Sequence, residues 1–253
     1  MLKISPQNSK TKSLREVAEL QRYLAGRRKI YSLDLLSGHT CPGAKDCKSK
    51  VVDLNGKRTI QDGPNCQFRC FSASQEVAFP NVYNSRFHNT GIVKSLKSVG
   101  QIRTEILNSL PSNLGILRYH VGGDFFKLSY LKAAVAVAES MQDRLFYAYT
   151  KSLHHLEKID CDDLSMGIIR PNFLVTGSYG GYNDHLIEPL GIRTATVVMS
   201  EAEAGYLPID HDDSHAATTG GSFALLIHGV QPKGSKASKA LLQLKGKGSY
   251  GKK

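Results

Sequence analysis

Short apolar runs punctuate the chain at 30–36, 115–120, 145–149, 173–176, 194–199 and 223–227. Each has the length and turn-bounded setting of a strand. In the first, Tyr31, Leu33 and Leu35 share one face and Ile30 and Leu36 the other. Helical spacing fills the intervals. A helix is expected from Ser13, where Ser13, Leu14, Arg15 and Glu16 form a capping box and Leu14, Val17, Leu20 and Leu24 keep one face apolar, with Gly26 as its stop. A long helix is expected over 89–110, with a weak point at Gly100 and Pro111 ending it. An alanine-rich helix follows over 129–141, and a short one carries His154 and His155.

Strands alternating with helices imply right-handed βαβ units and a parallel sheet, curved into a full or partial barrel. The fold class expected is therefore α/β, with one domain over 1–230 and a flexible basic tail over 231–253. In such folds the working residues lie on the loops that follow the strands. That rule gathers Gly122, Gly123 and Asp124, then Lys151, Ser178, Tyr179, Glu201 and Glu203, onto one rim, with Arg118 and His120 lining a pocket beside them. Paired glycines let a ligand approach the backbone closely, which favours the Gly-Gly-Asp turn as a contact. His154 and His155 are expected to face solvent. His211, Asp212, Asp213 and His215 read as a polar loop rather than a metal site, and Cys161 stands apart as a non-ligand.

Between the first strand and the long helix, residues 37–74 hold Cys41, Cys47, Cys66 and Cys70, four of the five cysteines. Two close pairs joined by a flexible loop can bring four thiolates to one metal centre. Disulfides would require an oxidising compartment, and the N-terminal residues contain no apolar run of the signal-peptide kind. Four unrelated buried thiols are a poor account of such clustering in a Gly-, Pro- and Lys-rich stretch. The C-x5-C and C-x3-C spacings are looser than the C-x2-C knuckles of zinc sites. They suit a [4Fe-4S] cluster better, with zinc the alternative metal. Lys45, Lys48, Lys50, Lys57, Arg58 and Arg69 lie nearby to offset the charge of the thiolates.

No apolar run approaches the roughly 20 residues that span a bilayer. A soluble cytoplasmic protein without membrane contact is expected. The 253 residues carry a net charge of +11, but seven of those charges are lysines of the 231–253 tail. Nucleic acid is therefore a possible partner mainly through that tail.

A cysteine loop after the first strand and a Gly-Gly-acid turn after the second resemble the opening of the radical S-adenosylmethionine partial barrel. That resemblance implies that Gly122, Gly123 and Asp124 hold the methionine amino group of the cofactor. The sequence departs from the family in cysteine spacing and in offering a fourth cysteine to close the iron left open for S-adenosylmethionine, which disfavours that cofactor. The stretches 37–44, 118–126 and 146–151 resemble a family of bacteriophage proteins called gene product eighty-eight. The resemblance implies a phage-encoded protein and no particular reaction. The expected function is an iron–sulfur protein with an electron-transfer, redox-sensing or structural role and an unknown redox partner. Two alternatives stand beside it: a radical S-adenosylmethionine-type enzyme with an open iron, and a zinc-braced nucleic-acid-binding module.

Overall fold

The computed structural model describes residues 1–6 and 10–244. Ten strands are present among them: β1 (Ser5–Pro6), β2 (Lys29–Leu33), β3 (Ser49–Leu54), β4 (Lys57–Asp62), β5 (Leu114–Tyr119), β6 (Leu145–Thr150), β7 (Ile168–Arg170), β8 (Phe173–Ser178), β9 (Thr194–Val198) and β10 (Phe223–Leu226). Nine α-helices accompany them: α1 (Gln21–Leu24), α2 (Phe71–Ala78), α3 (Pro80–Ser95), α4 (Val99–Ser109), α5 (Leu128–Ser140), α6 (Leu153–Leu156), α7 (Ile187–Leu190), α8 (Ser214–Ala217) and α9 (Lys236–Gln243).

All six strands expected from the apolar runs form, and they pair in parallel in the order β2-β5-β6-β8-β9-β10. Each new strand is laid beside the preceding one. The two short strands β1 and β7 run antiparallel to β2 and β8. Among the described residues the sheet is open: β1 borders β2 at one edge and β10 ends the other, so no barrel closes. At β8 the neighbours change along the strand. Phe173 and Leu174 pair with β7, whereas Gly177 and Ser178 pair with β9.

Alternation along the strands divides the sheet into two faces. Leu33, Leu117, Tyr119, Phe146, Ala148, Phe173 and Val175 belong to a large core with Val93 of α3, Ile102 and Ile106 of α4, and Leu131 and Ala134 of α5. The intervening residues Ile30, Ile116, Tyr147, Leu174, Ala195 and Phe223 form a second core with Leu14, Leu20, Leu24 and the alanines of α8. The sheet is therefore buried on both sides, as parallel sheets must be.

Several expectations need correction. The N-terminal stretch is two 3-10 turns, Lys10–Glu16 and Ala18–Leu20, followed by the short α1, and not one helix capped at Ser13. Val17 is extended between the turns (φ −79°, ψ 116°), and Leu14 and Leu20 are both drawn into the second core. The helix expected over 89–110 is two helices. It begins at Pro80, breaks at Leu96, and restarts after Ser98, whose side chain caps the Gln101 N–H in a full capping box. Gly100 lies inside α4, and the break falls before it, at Leu96–Ser98. The loop expected between the cysteine pairs is a hairpin, β3–β4, turning at Asn55 and Gly56 with positive φ at both. The tail expected from residue 231 is folded as far as Leu244, since Ala237 and Ala240 of α9 pack against Ala224, Leu226 and Val198. Residues 245–253 of that tail lie outside the described residues.

Candidate functional site

The cysteine stretch is strapped across the carboxyl ends of the strands. After β2 the chain is tied in turn by Leu35 N–H to the Gly122 carbonyl (2.8 Å), Leu36 N–H to Thr90 Oγ1 (2.9 Å) and Ser37 N–H to Glu76 Oε1 (2.9 Å). Glu76 is fully buried and also pairs with Arg86 (3.0 Å), which donates to the Ser72 carbonyl and hydroxyl. The start of the cysteine stretch is thereby fixed to α2, which follows its last cysteine. Further along, Lys45 and Asp46 N–H groups bond the Gly180 carbonyl beyond β8, and Gln67 and Phe68 N–H groups bond the Asp46 carbonyl. Gln231 closes the far side, accepting from Arg69 N–H (2.7 Å) and donating to the Arg69 and His228 carbonyls.

Beneath this strap lies a cavity of about 170 Å3. Cys41, Cys47 and Cys70 line it, together with Arg118, His120, Gly122, Gly123, Asp124, Lys151 and Ser178. Every pocket residue singled out from the sequence therefore faces the same space as three of the four clustered cysteines. Apolar wall is supplied by Phe68, Phe71, Val197, Leu225 and Ile227. Of the other rim candidates, Tyr179 contributes only its carbonyl to Lys151, Glu203 is turned back onto Met199 N–H (2.7 Å), and Glu201 is exposed.

All five cysteines are free. Burial pushes the Cys70 thiol up to about 12, and the neighbouring Cys47 raises it further. Burial likewise raises Cys41, with Asp124, Cys70 and Cys47 adding to the effect. Cys47 is raised by burial but is also held down by Lys151. Cys66 is raised by burial, and Cys47 again contributes. The four thiols thus share one electrostatic neighbourhood centred on Cys47. They are not equivalent: Cys66 does not line the cavity, and its Sγ contacts the Phe68 carbonyl (3.1 Å) and Ser49 Oγ (3.6 Å). Among the described residues no group of three or more His, Cys, Asp or Glu side chains is arranged to hold a metal ion. Cys161 is remote from this neighbourhood, bonding the Ile159 carbonyl (3.4 Å) at the edge of the main core.

The Gly-Gly-Asp turn is built by close packing. Gly123 has φ +95°, and a Cβ there would lie 2.7 Å from Leu35 Cβ and from Thr40 Oγ1. A Cβ at Gly122 would strike Ser72 and Arg86. Asp124 is buried with both oxygens engaged. Oδ1 accepts from Phe125 N–H (2.7 Å) and Thr150 Oγ1 (2.6 Å), and Oδ2 accepts from Lys151 N–H (2.9 Å). Burial raises its carboxyl against the opposing pull of those bonds. Lys151 Nζ is held by the Ser178 carbonyl and hydroxyl and by the Tyr179 carbonyl. His120 takes positive φ (68°), bonds Tyr130 OH through Nε2 (3.0 Å), and is lowered to about 3, first by burial and then by Arg118.

Two expectations at the site fail. Asp213, read from the sequence as part of a polar loop, is fully buried and pairs with Arg118. Its clue is Arg118 itself, because a guanidinium on a central strand needs a carboxylate. His155, expected to face solvent, is buried. Burial and the adjacent His154 lower it to about 4.

A family model described as Gene product 88 matches residues 2–244. The chain belongs to the gene product 88 family. In this gene product 88 chain the matched span takes in the whole sheet, the cysteine stretch and α9, and ends at Leu244, the last described residue. No curated protein and no solved structure matches it. Among the described residues, no helix is long and apolar enough to cross a membrane.

Proposed function

We propose that this gene product 88 protein is a phage-encoded iron–sulfur protein of the host cytoplasm, holding a [4Fe-4S] cluster on Cys41, Cys47, Cys66 and Cys70 at the mouth of the cavity. The observation that carries the reading is that three free thiols from both ends of the cysteine stretch wall one cavity, with Cys66 coupled electrostatically to Cys47. The donor set is soft, which suits iron–sulfur clusters, zinc or Cu(I). Burial keeps the thiols protonated, so loading must release protons and a cationic centre must compensate the thiolates. Lys151 supplies one cation beside Cys47. Zinc would require four donors converging on one point at about 2.3 Å. Thiols spread around a cavity suit a larger core. When bound, the cluster supplies one-electron chemistry, and with four protein ligands it favours electron transfer, redox sensing or a structural role over chemistry on a substrate.

A partial barrel is part of the same reading. β5 and β10 stand four strand intervals apart in the sheet, roughly 19 Å if it were flat at about 4.8 Å per interval. Arg118 of β5 and Leu225 of β10 nevertheless line one small cavity, which supports a sheet curled around it.

A second reading is favoured by the position of Cys66. If Cys66 is not a ligand, three cysteines would leave one iron open, as in the radical S-adenosylmethionine enzymes that the cysteine loop and the Gly-Gly-acid turn resemble in sequence. Anaerobic purification with iron, sulfide and zinc analysis tests the first reading. About four irons and four sulfides per chain, with a brown absorbance bleached by dithionite, are expected. Colourless protein with one zinc would overturn it and leave the zinc-braced nucleic-acid module to test. Cys66→Ser separates the two iron readings: loss of the cluster supports four ligands, and retention of full iron supports three.

A further inference from the structure

The cavity floor holds a cation whose hydrogen-bonding capacity is only partly used. Arg118 rises from β5 onto the cavity-facing side, is 6% exposed, and lines the cavity. Its Nη1 pairs with the Asp213 carboxylate, which also accepts from Tyr147 OH (3.1 Å) and Tyr149 OH (3.2 Å). The guanidinium carbon lies 5.2 Å from the Tyr149 ring centroid, so the group is held in place from the side as well. Nε is buried and has no acceptor among the described residues. Among the described residues, the hydrogen bond formed by this side chain leaves from Nη1. A guanidinium is a planar fork whose Nε–Nη2 edge matches a carboxylate or phosphate with two parallel bonds. Here that edge is idle.

The rest of the lining has the same bias. Lys151 Nζ is satisfied by neutral oxygens and has no carboxylate within ion-pair distance among the described residues. Asp124, the acid of the cavity wall, has both oxygens committed to Thr150 and to backbone N–H groups. The polar lining therefore offers unused donors and no unused carboxylate.

We propose that the cavity binds a small molecule bearing a carboxylate or phosphate, docked on the Nε–Nη2 edge of Arg118, with its far end toward Cys41, Cys47 and Cys70. The placement of the far end rests on the cluster reading; the anion contact does not. The test uses the full chain, purified anaerobically with its iron content measured, and the probes succinate, inorganic phosphate and the neutral analogue succinamide. Calorimetric titration and thermal unfolding are read in parallel. At least one anion is expected to bind and raise the melting temperature while succinamide does neither, and preference between succinate and phosphate assigns the anion class.

Removing Arg118 alone leaves Asp213 buried without its cation, so the variant to use is the neutral pair Arg118→Met with Asp213→Asn. It keeps an acceptor for Tyr147 and Tyr149, and anion binding should weaken by at least about tenfold, the loss expected of a charge-assisted contact. Arg118→Lys, which retains the charge and loses the fork, should bind with intermediate affinity. Equal responses to the anions and to succinamide, or undiminished binding in the neutral pair, would overturn the proposal. Iron-free protein that still binds the anion through Arg118 would remove the cluster reading and leave this site standing. Iron-loaded protein that ignores both anions would do the reverse.

Discussion

The two faces of the sheet use neighbouring residues of the same strands for opposite purposes. Tyr119 points into an aromatic core with Phe125, Tyr130, Phe146 and Phe173, ring centroids 5.6–6.5 Å from its own. Arg118, one residue earlier, points the other way into the Asp213, Tyr147 and Tyr149 network. The helix-covered face gains stability from packed rings, with little polar surface to satisfy. The opposite face buries charge, which is costly unless every group is paired. Arg193 extends the pattern: buried, and lowered to about 10 by that burial, it donates to the carbonyls of His215, Ala216 and Thr218 and so pins the segment that presents Asp213.

The comparison breaks most sharply at Asp213. Asp213→Ala leaves Arg118 buried without its partner and should cost about 3–5 kcal/mol in urea unfolding, whereas the neutral Arg118→Met, Asp213→Asn pair should recover most of that loss. A similar cost, about 3–5 kcal/mol, is expected for Phe173→Ala on the helix-covered face. On the cluster reading proposed above, the difference should appear in iron content per folded chain, unchanged by Phe173→Ala. If both variants lose iron in proportion to stability, the two faces are not functionally separate.

A smaller effect sharpens the boundary between them at His120, which packs on Phe125 (4.6 Å between centroids) and lines the cavity. Its folded value of about 3 lies below the ordinary 6.5. The neutral ring therefore contributes stability in full above pH 6.5, and this is lost as pH falls from there toward about 3, because the unfolded chain takes up the proton first. The expected slope is about 1.4 kcal/mol per pH unit. His120→Asn should remove that much slope between pH 6 and 5 in unfolding titrations. An unchanged slope would mean that His120 is already protonated in the folded protein.

What the sequence disclosed follows from the range over which each signal acts. The six parallel strands are short apolar runs bounded by turns, and period-two alternation is local. The convergence of Arg118, His120, Gly122, Gly123, Asp124 and Lys151 on one cavity follows from the topological rule for strand ends. The break before Ser98 is also written locally, as the capping box with Gln101, but continuous apolar spacing at Val93, Leu96, Val99 and Ile102 masks it. Likewise Asn55-Gly56 between alternating residues is a strong hairpin signal. Cysteine spacing carries no information about the chain between the pairs. Asp213 and the 3-10 N-terminus are of another kind. Both are settled by what the cavity-side core requires, Leu14 and Leu20 filling it and Asp213 neutralising Arg118, across about a hundred residues or more.

Sequential strand order also sets a timetable. Every parallel strand after β2 joins only its predecessor, so the sheet can grow in the order in which the ribosome delivers it. The cysteines emerge early, before β5. The walls that enclose their cavity arrive strand by strand, and the last, Leu225, Ile227 and His228, comes near the end of synthesis. The thiols are therefore made before the walls of their cavity, and the segment that follows β10 completes the enclosure, leaving all four partly exposed.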